Sequence, residues 1–171
     1  YAIKDVKRRK PQPFPAMGFS VCQLRPESLG SIHIRSADPY AQPAIRFNFM
    51  GERIDQETMI ASVKMAREIA DQAPLEKIRG VELVPGADVS TDGEIEHWIR
   101  STSETAYHPI GTCRMGPNGV VDDHLRVYGL EGLRVADASI FPTMPSGNTN
   151  APSIMVGEKC ADLIKADAVG A

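Results

Sequence analysis

The sequence predicts an α+β fold, a mostly antiparallel sheet flanked by helices. Three observations carry that expectation. Apolar and polar residues alternate with period two through much of residues 19–49. Helical periodicity takes over near residue 55 and returns near residue 91. A short apolar run then precedes a third helical pattern that fills most of the remaining chain. Strands first, then helices, then one strand and one helix is the order of an α+β protein. With 171 residues the chain has the size of one domain and is long enough to bury a core.

Each element has its own justification. The basic, proline-broken start over residues 4–15 reads as a solvated connector, and YAIKDVKRRKPQPFP reads like the middle of something longer. FSVCQLR (residues 19–25) has high β propensity, and PESLG supplies a turn. SIHIRS follows, with Ile32 and Ile34 on one face and His33 and Arg35 on the other. AIRFNF (residues 44–49) alternates likewise, with Ile45, Phe47 and Phe49 inward. Residues 55–74 switch to a helix whose stripe is Met59, Val63, Ala66, Ala70 and Ala73, flanked by Ile60 and Ile69 and ended by Pro74. In STDGEIEHWIRSTS, Thr91 and Glu94 have capping-box spacing and Ile95, Trp98 and Ile99 form the apolar side. GLRVADASIFP, within residues 129–142, reads as a short buried strand. NTNAPSIMVGEKCADLIKADA reads as a final helix with Asn148 or Asn150 as cap and Pro152 in its first turn. Ile154, Val156, Ala161, Leu163 and Ile164 are expected to face inward.

Composition excludes several classes. A net charge of −3 offers no basic footprint for nucleic acid. Three widely spaced cysteines, Cys22, Cys113 and Cys160, form no CxxC pair, which argues against a disulfide framework or zinc ribbon and for a reducing, cytoplasmic setting. No apolar run approaches the roughly 18 residues of a membrane span. No two glycines stand one residue apart, so the GxGxxG dinucleotide fingerprint is absent, and no serine lies in a GxSxG elbow. His108 and Cys113 have no second pair at ligand spacing to complete a metal site.

Two stretches stand apart. In YHPIGTCRMG, Pro109 pushes His108 toward an extended conformation, and Gly111 and Gly116 permit tight turns around TCRM. Such a loop either carries an incidental histidine or holds an imidazole whose pKa suits proton transfer. PSGNTNAPS (residues 145–153) packs small polar residues against an apolar helix. They either cap the helix or present its amides to an electron-rich group. Asp137, on which the buried-looking strand in VADAS ends, is either a cap for the next turn or a ligand for a hydroxyl-bearing cofactor.

Taken in order, these motifs resemble one family. YHPIGTCRMG, then LRVYGLEGLRVADASIFPTMPSGNTNAPSIMVGEKCADLI, with GSIHIRSADPYAQPAIRFNF upstream, is similar to the C-terminal part of the glucose-methanol-choline oxidoreductases, choline dehydrogenase-like in character. These are flavoenzymes that oxidise alcohols with FAD. The resemblance covers roughly residues 14–166 and implies a division into a linker (1–13), a substrate-binding portion (14–128), a strand and helix turned to the FAD domain (129–166) and a tail (167–171). It implies that His108 accepts the alcohol's proton while hydride passes to flavin N5, with Asn148 as the second member of the catalytic pair. It implies FAD contacts at Asp137, Ala138, Thr149, Asn150 and Pro152. The expected partners are a small alcohol and an N-terminal FAD-binding portion of the same protein, with no metal, and the isolated chain is expected to be inactive. The alternative is a non-catalytic binding domain derived from such an enzyme.

Overall fold

Where the backbone finds hydrogen-bond partners decides which of these elements form. The computed structural model describes residues 3–5 and 10–169. It contains four short strands, β1 (Ile3–Asp5), β2 (Lys10–Pro11), β3 (Ser31–His33) and β4 (Ala44–Arg46), and three helices, α1 (Arg53–Ala70), α2 (Asp92–Thr102) and α3 (Asn150–Val169). The strands pair antiparallel as β1–β2 and β3–β4. The α+β expectation therefore holds, with less sheet than the alternation promised. Of the connector expected at the start, residues 1, 2 and 6–9 lie outside the described residues.

Internal contacts divide the chain into two units, one of Tyr1–Gln23 with Met50–Thr105, the other of Leu24–Phe49 with Ala106–Ala171. In the first, α1 and α2 bury Ile60, Val63, Ile95 and Ile99 against each other, joined by Met50, Met59, Val89 and Trp98. The stripe expected on α1 is thus correct at Met59 and Val63, with Ile60 on its flank, whereas Ala73 lies beyond the helix and is exposed and Ile69 stays half exposed. The helix stops at Ala70 rather than Pro74. Proline at position 74 lacks the N–H that would bond the Ala70 carbonyl, and its ring would collide with that carbonyl. A 3₁₀ turn over Ala73–Leu75 absorbs it instead. Asp55, in the first turn of α1, is 2% exposed and accepts a 2.7 Å hydrogen bond from Gln23 Nε2. That pairing was not legible in the sequence.

The cap of α2 forms as its spacing predicts. Thr91 Oγ1 accepts from Glu94 N at 3.3 Å, and the Glu94 carboxylate accepts from Thr91 N at 2.8 Å and Ser90 N at 3.0 Å. These donors, that of Thr91 foremost, hold the Glu94 carboxyl below its ordinary range.

In the second unit, β3 and β4 pair Ser31 with Arg46, Ile32 with Ile45 and His33 with Ala44. Gly30 precedes them where the chain runs closest: a Cβ there would lie 2.1 Å from the Arg46 carbonyl oxygen. Phe47 and Phe49 share a face as predicted, their rings stacked 5.0 Å apart. The expected inward burial of this face is not observed. Ile34 is 88% exposed, and Ile32, Ile45, Phe47 and Phe49 are all exposed, because no layer among the described residues covers them. Residues 19–25 form no strand, since β propensity alone does not make a ladder.

The core of this unit is Val121, Leu125, Ile140, Val156 and Cys160, with Met115, Val127, Val135, Phe141 and Leu163 packed on it. The buried strand expected near residue 135 is an irregular pairing: Val127 N donates to Leu133 O, and Val135 N to Leu125 O, before the chain enters a 3₁₀ turn at Ala138–Ile140. On α3 the inward positions are Val156 and Cys160, with Ala161 and Leu163 half-buried, while Ile154 and Ile164 are exposed. At its far end Asp167 pairs with Arg126 at 2.6 Å and with Arg134.

Replacing Thr91 with Ala is expected to cost about 1 kcal/mol, read from urea unfolding. The Glu94 cap carries a pH signature. A carboxyl whose pKa is lowered by folding stabilises above its unfolded pKa, and that contribution disappears as pH falls through the folded one. The stability gap between the parent and Glu94→Gln should therefore be open at neutral pH and close on acidification, measured by thermal unfolding across the carboxylate range.

Candidate active site

His108 lies on a loop fastened at several points. Tyr107 just before it has φ of 61°, an unusual conformation for a residue with a side chain, and Gly111 has φ of 81°. Beyond the turn, Cys113 N donates to Ser139 O at 3.0 Å and Met115 N to Ile140 O at 2.8 Å. These two bonds strap the loop to the 3₁₀ turn that follows Asp137. Gly116 N donates to Val121 O at 3.1 Å, and Val120 N to Arg114 O at 2.8 Å. Gly119 is required in this return: a Cβ there would sit 2.0 Å from Arg114 O. The stiff, glycine-bounded loop expected around His108 is the one observed.

The imidazole meets the start of α3. His108 Nδ1 and Thr149 Oγ1 share a hydrogen bond at 3.1 Å, and Thr149 N–H approaches the same nitrogen at 3.5 Å. Thr149 is 8% exposed, and His108 is half-buried. By position Thr149 is the cap of α3, because its carbonyl accepts the N–H of Ser153 at 2.9 Å. The hydroxyl of Ser153 also donates to that carbonyl, at 2.6 Å. The cap expected at Asn148 or Asn150 thus falls between them. Pro152 does lie in the first helical turn, as predicted, half-buried.

The remaining predicted residues surround this contact along the chain. Asn148 immediately precedes Thr149 and is exposed, as is Asn150, the first residue of α3. Asp137 is exposed and caps its 3₁₀ turn by accepting from Ser139 N at 2.7 Å, which is one of the two roles open to it from sequence. Ala138 is half-buried within that turn. The strap from the His108 loop to Ser139 and Ile140 links the Asp137 turn to the histidine loop. Sequence reasoning missed Arg25, whose Nε donates to Ser146 Oγ at 2.6 Å, and Ser146 itself, held at φ of 58° two residues before Asn148. Among the described residues no group of three His, Cys, Asp or Glu gathers as a metal site, and no helix is long and apolar enough to cross a membrane.

Known proteins share this sequence and fold. The family model described as GMC oxidoreductase matches residues 26–157, and the chain belongs to that family. It is 47% identical over 154 residues to the oxygen-dependent choline dehydrogenase of Chromohalobacter salexigens, an alignment covering 88% of this chain and 28% of that protein. Among solved structures, an FAD-dependent oxidoreductase from Chaetomium thermophilum matches with a TM-score of 0.81 at 33% identity, over 85% of this chain and 26% of that one. A fungal aryl-alcohol oxidase matches with a TM-score of 0.79 at 34% identity, over 85% and 25%. The chain therefore spans about a quarter of the length of the relatives it matches.

Gly119→Ala is expected to destabilise the unit carrying His108 by about 1–3 kcal/mol, since backbone must move to admit the methyl group. Thermal unfolding checks it, with Gly93→Ala, which meets nothing within 4 Å, as the tolerated control.

Proposed function

We propose that this chain is the flavin-facing portion of an FAD-dependent alcohol oxidoreductase of the choline dehydrogenase type, in which His108 takes the proton of the alcohol's hydroxyl. One observation carries the reading: an imidazole on a strapped loop is held against the N-terminus of a 20-residue helix, beside an exposed Asn148. A neutral imidazole carries one bare ring nitrogen, which can accept the alcohol's proton. Asn148 keeps a hydrogen bond to the substrate oxygen but cannot serve as a second base, which leaves the proton work to His108.

The residues fit a flavin in kind. Amides at the start of α3, with Asn150 exposed there, suit the electron-rich edge of an isoalloxazine, and Thr149 and Pro152 belong to the same segment. The exposed Asp137 carboxylate, with Ala138 beside it, suits the hydroxyl-bearing chain that joins ring to phosphate. Bound FAD would supply the hydride acceptor, and the residues of this chain orient the alcohol and receive its proton. No glycine pair of the dinucleotide fingerprint occurs in the sequence, and the relatives are about three times as long, which supports an FAD-binding partner portion outside these residues. The three free cysteines agree with a reducing, cytoplasmic setting.

In the complete flavoprotein, His108→Ala should retain the flavin absorption bands while alcohol turnover falls by about 10²- to 10⁴-fold. A variant as active as the parent would remove His108 from the reaction. This chain alone, supplied with FAD, should show no alcohol oxidation, and measurable turnover would show that it needs no partner portion.

A further inference from the structure

The first turn of α3 contains an unusual arrangement. A threonine at a helix N-cap ordinarily turns its hydroxyl onto the N–H of the second or third helical residue. Here the third is Pro152, which has no N–H to offer. The hydroxyl of Thr149 thereby loses one of its two usual capping partners, and it meets His108 Nδ1 at 3.1 Å. The residue is nearly buried, so little water competes for that bond. Ser153 returns both its N–H and its hydroxyl to the Thr149 carbonyl, which closes the first turn of the helix.

We propose that Thr149 is a positioning residue for His108: its hydroxyl, denied a capping N–H at Pro152, holds Nδ1 and leaves Nε2 as the nitrogen that works on the alcohol. The inference rests on the proton-accepting role of His108 given above. The chemistry of the two donors near Nδ1 decides between them. The Thr149 N–H can only donate, so alone it would favour a bare Nδ1, put the ring proton on Nε2 and spoil that atom as a base. It lies at 3.5 Å, the far limit of a hydrogen bond. The hydroxyl is closer and can accept as well as donate, so it can receive Nδ1–H both before and after Nε2 gains the alcohol's proton. Thr149 thus needs no movement when the imidazole becomes charged. This side-chain role is separate from any contact the Thr149 backbone makes with flavin.

The test uses the complete flavoprotein, with choline as the probe and anaerobic stopped-flow reduction of bound flavin as the readout. Thr149→Val keeps the shape and removes the hydroxyl, and the reduction rate should fall on the order of 10- to 100-fold with flavin content unchanged. Thr149→Ser returns the hydroxyl and should recover most of the loss. Pro152→Ala restores an N–H at the third helical position, competes for the hydroxyl, and should slow reduction in the same direction. A flavin-loaded Thr149→Val reduced at the parent rate, while His108→Ala is slow, overturns the inference and leaves the role of His108 standing. If Thr149→Val fails to bind flavin, the decision passes to Pro152→Ala, and a parent rate there overturns the inference. A parent protein that choline does not reduce, or an undiminished His108→Ala, overturns the underlying reading and the inference together.

Discussion

The contact between His108 and Thr149 is the constraint on which the candidate site depends. It joins residues 41 positions apart, and neither partner arrives there through its own element alone. His108 is brought by a loop whose far side is tied to Ser139 and Ile140, so the 3₁₀ turn after Asp137 sets where the loop lies. Thr149 is brought by α3, whose seat is the core around Val156 and Cys160. Ile140 belongs to that same core, so the strap and the helix share one foundation. Breaking the core would separate the two halves of the site before it touched either side chain.

Local rules read well from sequence where the interaction is short in range. The Thr91–Glu94 capping box, the helical stripe at Ile60 and Val63, the paired face of Phe47 and Phe49, and the proline in the first turn of α3 all follow from spacings of two to four residues. The family was legible because its motifs occur in order, and the matching family model and relatives bear that out. His108 stood out for the stiffness of its surroundings. Those are the properties that a linear string encodes directly.

Long-range partnership was legible only in part. The strand expected at residues 19–25 had the right composition, yet no strand forms there. The apolar face of β3–β4 had the right alternation and, among the described residues, no layer to cover it. Gln23 and Asp55 meet across 32 residues, Arg25 and Ser146 across 121, and no spacing rule reaches that far. The cap of α3 was misjudged by one residue for a subtler reason. Asparagine is a strong cap by preference, and two flank the true position, but preference is outweighed where the intervening threonine has its backbone in place. The missing N–H of Pro152 was the available clue to where that threonine's hydroxyl would go.

The seating of α3 also acts as a mechanical tolerance. A helix advances 1.5 Å per residue and scarcely stretches, so any slide or roll at Val156 and Cys160 is delivered almost whole to Thr149 at its head. A slip of one residue would be half the length of the bond to His108. Methyl groups in that core therefore act as shims for a proton-handling site they never touch. Sequence drift beneath the helix is limited by the fit of one hydrogen bond as well as by stability.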